Sequence, residues 1–127
     1  MPKLIQRRRT KGWRKPEGAV SVTRPSRYGN PFEVKVFGIA LSLHLFYNAI
    51  HGFWAPAGVP EELIYKAHSA HVTFQKRFRP HGPRFEIEYE LKGVDIMCWC
   101  GDWIPGEPEI DCHGVLVLKM ANGIGDE

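Results

Sequence analysis

Apolar residues recur at helical spacing in two central segments of the chain. The first predicts a helix from about residue 42 to residue 54 with Ser42 as its N-cap, although apolar residues also alternate before Ser42, so a strand is an alternative there. The second follows Pro60, begins with two glutamates and ends before Pro80. Because acidic residues in a first turn complement the positive end of the helix dipole, this segment predicts the clearest helix of the chain.

Strand patterns lie on both sides of these helices. Residues 19–23 are short, β-branched and alternating, and they predict a strand that ends at Arg24. Residues 85–91 carry an apolar residue at every second position, between charged ones, which predicts a half-buried strand. Residues 94–100 predict an interior strand, and residues 111–123 predict a short helix capped by Asp111. Together the elements predict an α/β fold, a small single-domain sheet with two to three packed helices.

Length and composition fit one domain. The chain has 127 residues, of which 43% are hydrophobic and 24% are charged. We predict a basic N-terminal arm over residues 1–15 and a single α/β domain over residues 16–123. No apolar leader follows Met1, and the longest apolar run, residues 36–50, is too short to span a bilayer. These observations, with an odd number of cysteines, predict a cytoplasmic protein without a membrane partner.

Positive charge is concentrated at the N-terminal end. Residues 1–35 contain ten Lys and Arg residues against two glutamates, a net charge of +8, whereas the whole chain carries +3. A positive segment on a slightly negative body is typical of proteins that meet phosphate, so we predict a nucleotide or nucleic acid as the partner. A solvated basic arm with no ligand is the alternative for residues 3–15.

The first candidate site is the turn at residues 24–32, with the sequence RPSRYGNPF. Two prolines, a glycine and an asparagine predict a tight, rigid turn at the end of a strand, where α/β folds bind ligands. Arginine forks and a hydroxyl can hold a phosphate, and a tyrosine offers a stacking face. The predicted ligand-binding residues are Arg24, Ser26, Arg27, Tyr28 and Asn30. The alternative is a well-packed turn in which Asn30 bonds only to its own backbone.

The second candidate site combines three cysteines and one histidine. Cys98 and Cys100 share one face of a predicted strand, and Cys112 and His113 follow after a loop. Three thiols and one imidazole can close a tetrahedral zinc site, so these four residues are the predicted metal ligands and zinc the candidate cofactor. Alternatively, Cys112 and His113 are catalytic, because a helix N-terminus and a neighbouring imidazole would lower the pKa of the Cys112 thiol. A third interpretation is that the cysteines pack as small apolar residues.

Several short motifs, taken together, resemble the domain-of-unknown-function family numbered 4326, which occurs in bacteria, notably actinobacteria, and in their phages. The motifs are KGWR at residues 11–14, PEGAV at 16–20, RPSRYGNPF at 24–32, CWC at 98–100 and CHG at 112–114. The resemblance covers residues 4–33 and 91–123. It implies that the turn and the Cys/His end form one surface, and it names no reaction. The residues that match the family motifs, and that the resemblance therefore assigns to this surface, are Arg24, Ser26, Asn30, Cys100, Cys112 and His113.

The sequence departs from that family pattern in three places. Thr23 stands where glycine is usual, Tyr28 where tryptophan is usual, and Val115 where an aspartate commonly follows the CHG motif. If the family uses that aspartate as a base, this member would bind without catalysing. The strand predicted at residues 85–91 also conflicts with the helix end that the family pattern places there.

Two functions follow as hypotheses. The first is nucleotide- or nucleic-acid-directed binding or processing through the basic turn beside the Cys/His cluster. The alternative is a non-catalytic module that binds a host or virion protein, with a structural Cys/His site that holds zinc and an apolar interface within residues 41–54. No carboxylate pair, Ser-His-Asp set or phosphate-cradling glycine loop is present, so the sequence does not decide whether the chain is an enzyme.

Overall fold

Three short parallel strands form the sheet of this protein. The computed structural model describes residues 2–24 and 26–124. Strand β1 (Leu4–Gln6) and strand β2 (Val20–Ser21) both pair with strand β3 (Ile96–Cys98), which gives the order β1-β3-β2. β3 is buried throughout, as the sequence predicts for an interior strand. Because β3 is central, the sheet joins the N-terminal segment to residues more than 70 positions later in the chain.

Five helices surround the sheet in the described part of the chain. They are α1 (Val34–Phe37), α2 (Ile39–Ile50), α3 (Glu61–Lys76), α4 (Pro83–Leu91) and α5 (His113–Asn122). The predicted α/β class is confirmed. Across residues 2–24 and 26–124, none of these helices combines the length and apolar character that crossing a membrane requires.

The core lies between the sheet and helices α2, α4 and α5. Phe46 of α2 is fully buried and packs edge-on against Phe74 of α3 at 5.5 Å and against the His113 ring at 5.5 Å. Edge-to-face aromatic contacts stabilise such a core beyond the area that they bury. Phe46 therefore anchors the helical layer directly to the first residue of α5.

Helix α2 is found, but its start differs from the prediction. It begins at Ile39, so a strand before Ser42 is wrong, and Ser42 is buried inside the helix instead of capping it. The Ser42 hydroxyl bonds to the Asn30 side chain and donates to the Phe32 carbonyl. Four of the apolar residues in the interface predicted within residues 41–54, Leu45, Phe46, Ala49 and Ile50, belong to the core and are not on the surface, whereas Phe53 is exposed.

The strand predicted at residues 85–91 is wrong, because this segment is helix α4. Gly82 precedes the helix and Pro83 occupies its first turn, where a proline costs nothing. Ile87 and Leu91, four positions apart, are buried, whereas Phe85 and Tyr89 are 54% and 83% exposed and stack on each other. Two helical pairs on opposite faces produce the same every-second-residue pattern as a strand. The helix agrees with the family pattern.

Helix α5 begins one residue later than predicted. Cys112, and not Asp111, is the N-cap: its backbone is extended, and its Sγ accepts a hydrogen bond from the Gly114 N–H at 3.3 Å. The helix ends at Asn122 with Gly123 in the left-handed conformation (φ 64°), which is a common way for helices to end. The switch from extended to helical backbone at Cys112 decides the geometry of the Cys/His cluster.

Candidate functional site

The turn and the Cys/His end meet in one cavity, hereafter the Arg24 cavity, with a volume of about 430 Å³. Arg24 and Asn30 come from the turn, and Cys98, Cys100 and His113 come from the other end of the chain. The remaining lining residues are Thr23, Phe32, Glu33, Val34, Lys35 and Trp99. The geometry thus brings together the two segments that the family resemblance placed on one surface.

Arg24 is held at the cavity wall by the turn itself. Its Nε donates to the Asn30 carbonyl at 2.9 Å, and neither terminal nitrogen of this exposed residue bonds to any residue within 2–24 and 26–124. A Cβ at Gly29 would lie 3.0 Å from the Ser26 carbonyl oxygen and 3.3 Å from Arg24 Cγ. The absence of a side chain at Gly29 therefore lets the turn close against Arg24.

Asn30 is mainly a scaffold for the turn. Its Oδ1 accepts from the Phe32 N–H at 2.8 Å and its Nδ2 donates to the Ser42 hydroxyl at 2.9 Å. This is the local bonding that the sequence allowed as the alternative, extended by one contact to helix α2. Asn30 is buried, so these hydrogen bonds satisfy a side chain that would otherwise destabilise the fold.

The other predicted ligand-binding residues of the turn face helix α4. Arg27 forms ion pairs with Glu86 and Glu90, and the Tyr28 hydroxyl also donates to Glu90. We call this group of four residues the Arg27 clamp. The Ser26 hydroxyl accepts from the Tyr28 N–H at 3.2 Å. Within the described residues, the lining of the Arg24 cavity includes none of Ser26, Arg27 and Tyr28, and their predicted role in ligand binding stays a prediction.

The three thiols lie close together in what we call the thiol cluster, Cys98, Cys100 and Cys112. Their sulfur atoms are all within 4.8 Å of one another, with Cys98 Sγ 3.8 Å from Cys100 Sγ and 3.3 Å from Cys112 Sγ. Cys98 and Cys112 are buried and Cys100 is exposed. The thiol cluster is thus open to the Arg24 cavity on one side and can hold a metal ion.

Helix α5 can approach the sheet this closely because residue 114 is a glycine. A Cβ at Gly114 would lie 2.8 Å from Leu4 Cδ1, 3.3 Å from Cys98 Cβ and 3.4 Å from Cys112 Sγ. No other residue type fits between strands β1 and β3 and the helix N-terminus without a displacement. Gly114 therefore sets the distance between Cys112 and Cys98.

His113 adjoins the thiol cluster through one ring nitrogen. Its Nε2 lies 2.8 Å from the Val22 carbonyl oxygen and must donate to it, so the neutral ring carries its lone pair on Nδ1. Nδ1 lies 4.0 Å from Cys98 Sγ. Although adjacent in sequence, Cys112 and His113 can both approach Cys98, because the backbone changes from extended to helical between them.

The cysteines differ in acidity, in a way opposite to one prediction. Hydrogen bonds from Cys100 and Cys112, together with His113, hold the pKa of the Cys98 thiol far below its usual value. Interactions with Cys100 and Cys98, and then burial, raise the pKa of Cys112 above its usual value. The predicted lowering of the Cys112 pKa is therefore wrong. The catalytic role of Cys112 and His113 stays a prediction.

Sequence reasoning missed six residues of the cavity wall: Thr23, Phe32, Glu33, Val34, Lys35 and Trp99. Trp99 was predicted only as part of a strand. Strand β3 ends at Cys98, so Trp99 lies beyond it and lines the same cavity as Cys98 and Cys100, although strand alternation would have placed it on the opposite face. Lys35 gave no signal beyond its position in the basic segment.

Comparison with known proteins identifies the family. No curated protein and no solved structure matches the chain. One family model matches, described as "Domain of unknown function (DUF4326)", and it spans residues 5–123, which includes both the turn and the Cys/His end. The chain therefore belongs to this family, as its motifs indicated.

Proposed function

We propose that the chain binds a phosphate group of a nucleotide or nucleic acid in the Arg24 cavity. The observation that carries this proposal is that Arg24 shares one cavity with Cys98, Cys100 and His113. A guanidinium with two free terminal nitrogens can grip a phosphate through two parallel hydrogen bonds. The cavity opens at the sheet edge, where α/β domains bind ligands.

The charges around the cavity favour an anion. Arg24 and Lys35 line it, and neither forms an ion pair with any residue that the structure describes. Glu33 is the single acidic residue among the lining residues. Two cations without carboxylate partners at the mouth of a partly apolar cavity attract phosphate more strongly than the same charges in open solvent.

We further infer that the thiol cluster holds zinc. With Zn–S bonds of about 2.3 Å, two thiolates of a tetrahedral site lie about 3.8 Å apart; Cys98 and Cys100 are separated by 3.8 Å. His113 Nδ1 is the candidate fourth ligand, and its Nε2–H bond to the Val22 carbonyl is the outer contact that typically orients a metal-bound histidine. Three sulfur ligands and one nitrogen ligand suit zinc better than magnesium or calcium.

The zinc would brace the cavity rather than activate a nucleophile. Cys112 is buried and would itself be a zinc ligand, and both features oppose attack on a substrate. A bound metal would fix β3 to the start of α5 and so fix the wall opposite Arg24. Binding with a structural metal site is therefore the function that the geometry supports best.

The test measures binding of thymidine 5′-monophosphate by calorimetry at several salt concentrations. We expect affinity to fall steeply with added salt and at least tenfold in Arg24→Ala, with Arg84→Ala, a surface arginine on α4, as the control. Equal affinities of wild type and Arg24→Ala for the nucleotide would overturn the proposal.

Metal content tests the second part. Protein purified without chelator should carry about one zinc per chain, and Cys98→Ser should lose it. Absence of bound zinc, even after zinc is added and excess removed, would contradict the metal assignment while leaving the phosphate site intact.

The alternative function is a protein-interaction module for a host or virion protein. Its predicted interface is reduced because four apolar residues of α2, Leu45, Phe46, Ala49 and Ile50, are buried in the core. This alternative expects a stable protein partner and no dependence of partner binding on Arg24.

A further inference from the structure

Trp99 forms the base of a second cationic surface at the mouth of the Arg24 cavity. It lines the cavity, is 38% exposed, and lies under two guanidinium groups: those of Arg7 and Arg9, at 4.9 and 4.6 Å from its ring centroid. A guanidinium over a tryptophan ring is attracted by the ring electrons and keeps its N–H edges free for other acceptors. The ring therefore orders two long side chains without neutralising them.

The three consecutive arginines of this segment, Arg7, Arg8 and Arg9, contact different partners on its two sides. Arg8 reaches Asp102 at 3.7 Å, whereas Arg7 and Arg9, two positions apart, both reach Trp99. Neither Arg7 nor Arg9 forms an ion pair within residues 2–24 and 26–124. The side that faces Trp99 thus keeps its positive charge, and the other side is paired.

This surface is continuous with the phosphate site. Arg7 Nη1 donates to the Thr23 hydroxyl at 3.1 Å, and Thr23 lines the Arg24 cavity beside Arg24 itself. The Arg7 backbone N–H also bonds to the Cys98 carbonyl at 2.6 Å, which ties the segment to β3. In the described chain neither Arg7 nor Arg9 lines the cavity, so a ligand that meets both sites must extend out of it.

We propose that Arg7, Arg9 and Trp99 form a second phosphate subsite, and that the ligand is a single nucleic-acid strand with a terminal phosphate. The terminal phosphate occupies the Arg24 cavity and the next phosphodiesters lie along Arg7 and Arg9. A strand end that enters a cavity of about 430 Å³ must separate from any complementary strand, which excludes a paired duplex end. This inference rests on the proposed phosphate site at Arg24 and names the ligand of that site.

The experiment compares three probes by fluorescence anisotropy and calorimetry: thymidine 5′-monophosphate, a 5′-phosphorylated hexathymidylate and the same hexamer without the phosphate. We expect the phosphorylated hexamer to bind at least tenfold more tightly than either of the others. Arg7→Ala/Arg9→Ala should lose at least tenfold for this hexamer and less than twofold for the mononucleotide. The dependence of hexamer affinity on salt should become less steep by about one to two in slope, since about 0.7 counterions per phosphate are no longer released.

Arg8→Ala is the matched control, because it removes the same charge from the paired side. It should lose less than threefold for the hexamer. Arg9→Ala alone keeps the Arg7–Thr23 bond and so tests the subsite if the double variant is poorly folded. Equal losses in Arg8→Ala and Arg9→Ala, or a hexamer that binds no better than the mononucleotide, would overturn the second subsite.

The two proposals fail in distinguishable ways. If the mononucleotide binds and depends on Arg24 while the hexamer gains nothing, only the second subsite is wrong. If no probe binds, or if Arg24→Ala changes nothing, the phosphate site itself is wrong. Tighter binding of a blunt duplex than of the phosphorylated hexamer would also contradict the single-strand assignment.

Discussion

Arg24 and Arg27 lie three residues apart in one turn, and the structure uses them in opposite ways. Arg24 lines the Arg24 cavity, and among the described residues its guanidinium donates to one backbone carbonyl and forms no ion pair. Arg27 bonds to two glutamates of α4 and lies over the rings of Tyr28 and Phe78 at 5.3 and 4.9 Å. Sequence reasoning treated them as equivalent phosphate ligands. The difference indicates that carboxylate partners, and not position in a motif, decide which arginine is available to a ligand.

The comparison extends to the two faces that the turn joins. On one face a cavity with unpaired cations lies over the thiol cluster, and on the other the Arg27 clamp fastens the turn to a helix. The backbone also links them, since Arg27 Nη1 donates to the Arg77 carbonyl and Arg77 Nη1 donates to the Gly29 carbonyl. The Arg27 clamp and these two hydrogen bonds together fix the position of the turn that carries Arg24.

The largest expected effect is at Gly114, beside the thiol cluster. Gly114→Ala places a methyl group 2.8 Å from Leu4 Cδ1 and should destabilise the fold by about 1–3 kcal/mol, the usual cost of overpacking. It should also reduce zinc retention, because it widens the gap between Cys112 and Cys98. Urea unfolding and metal content measure the two effects. Lys66→Ala, at an exposed helical position, is the control, and an equal loss of stability there would contradict this account.

The clamp should give the next effect. Arg27→Ala leaves two glutamates without their cation and removes packing over two rings, so unfolding free energy should fall by about 1–2 kcal/mol. Arg84→Ala, which breaks an exposed pair with Glu88 on the same helix, should cost less than about 0.5 kcal/mol. Arg24→Ala should also leave stability nearly unchanged. The comparison between the two turn arginines fails if Arg24→Ala is the more destabilising variant in urea unfolding.

Acid should weaken the Arg27 clamp through protonation of Glu90. The hydrogen bond from Tyr28, and then Arg27, lower the pKa of Glu90 below its usual value. The stabilisation from Glu90 is therefore complete above the pKa of about 4.3 that glutamate has in an unfolded chain, and it is lost as pH falls through the lower folded-state pKa. Thermal unfolding measured from pH 6 to pH 3 should fall less steeply in Glu90→Gln than in wild type. Parallel profiles would show that Glu90 is not linked to folding.

The smallest expected effect lies away from both faces, at His71. Burial, and then the charge of His68, lower the pKa of His71. Its neutral form is favoured in the folded protein, so its contribution to stability is complete above about pH 6.5 and falls as pH drops from there to the folded-state pKa. His71→Gln should flatten the thermal stability between pH 7.5 and 5.5. If His71→Gln has the same dependence of thermal stability on pH as wild type, protonation of His71 does not contribute to that dependence.

The parts of the fold that were predictable are those with local causes. Helix α3 is marked by Pro60, its first-turn glutamates and its terminal lysine, and it was found where these signals place it. The pattern that misled was in α4, where Phe85 and Tyr89 are apolar without being buried. An exposed aromatic pair cannot be told from a buried one by periodicity, because burial depends on what packs against the helix.

For the candidate site, the two segments that form it could be predicted from the sequence, but the bonding partners of the individual side chains could not. Cys98, Cys100 and His113 meet Arg24 as the combined motifs implied. The bonds from Arg27 to Glu86 and Glu90 were not predicted, because the two glutamates lie about 60 positions from Arg27 and were assigned to a strand. The N-cap role of Cys112 was likewise hidden, because a thiol is a weak acceptor and Asp111 is the more common cap.

The central position of β3 has a consequence for the order in which the protein can be assembled on the ribosome. Both N-terminal strands await a partner that is synthesised some 75 to 90 residues later, and pairing between such distant segments is slow. The arginines therefore leave the exit tunnel long before the tryptophan and the thiols that give them a fixed place. A nascent chain thus completes the segments of helices α1 to α4 before it contains the residues that hold an anion or a metal.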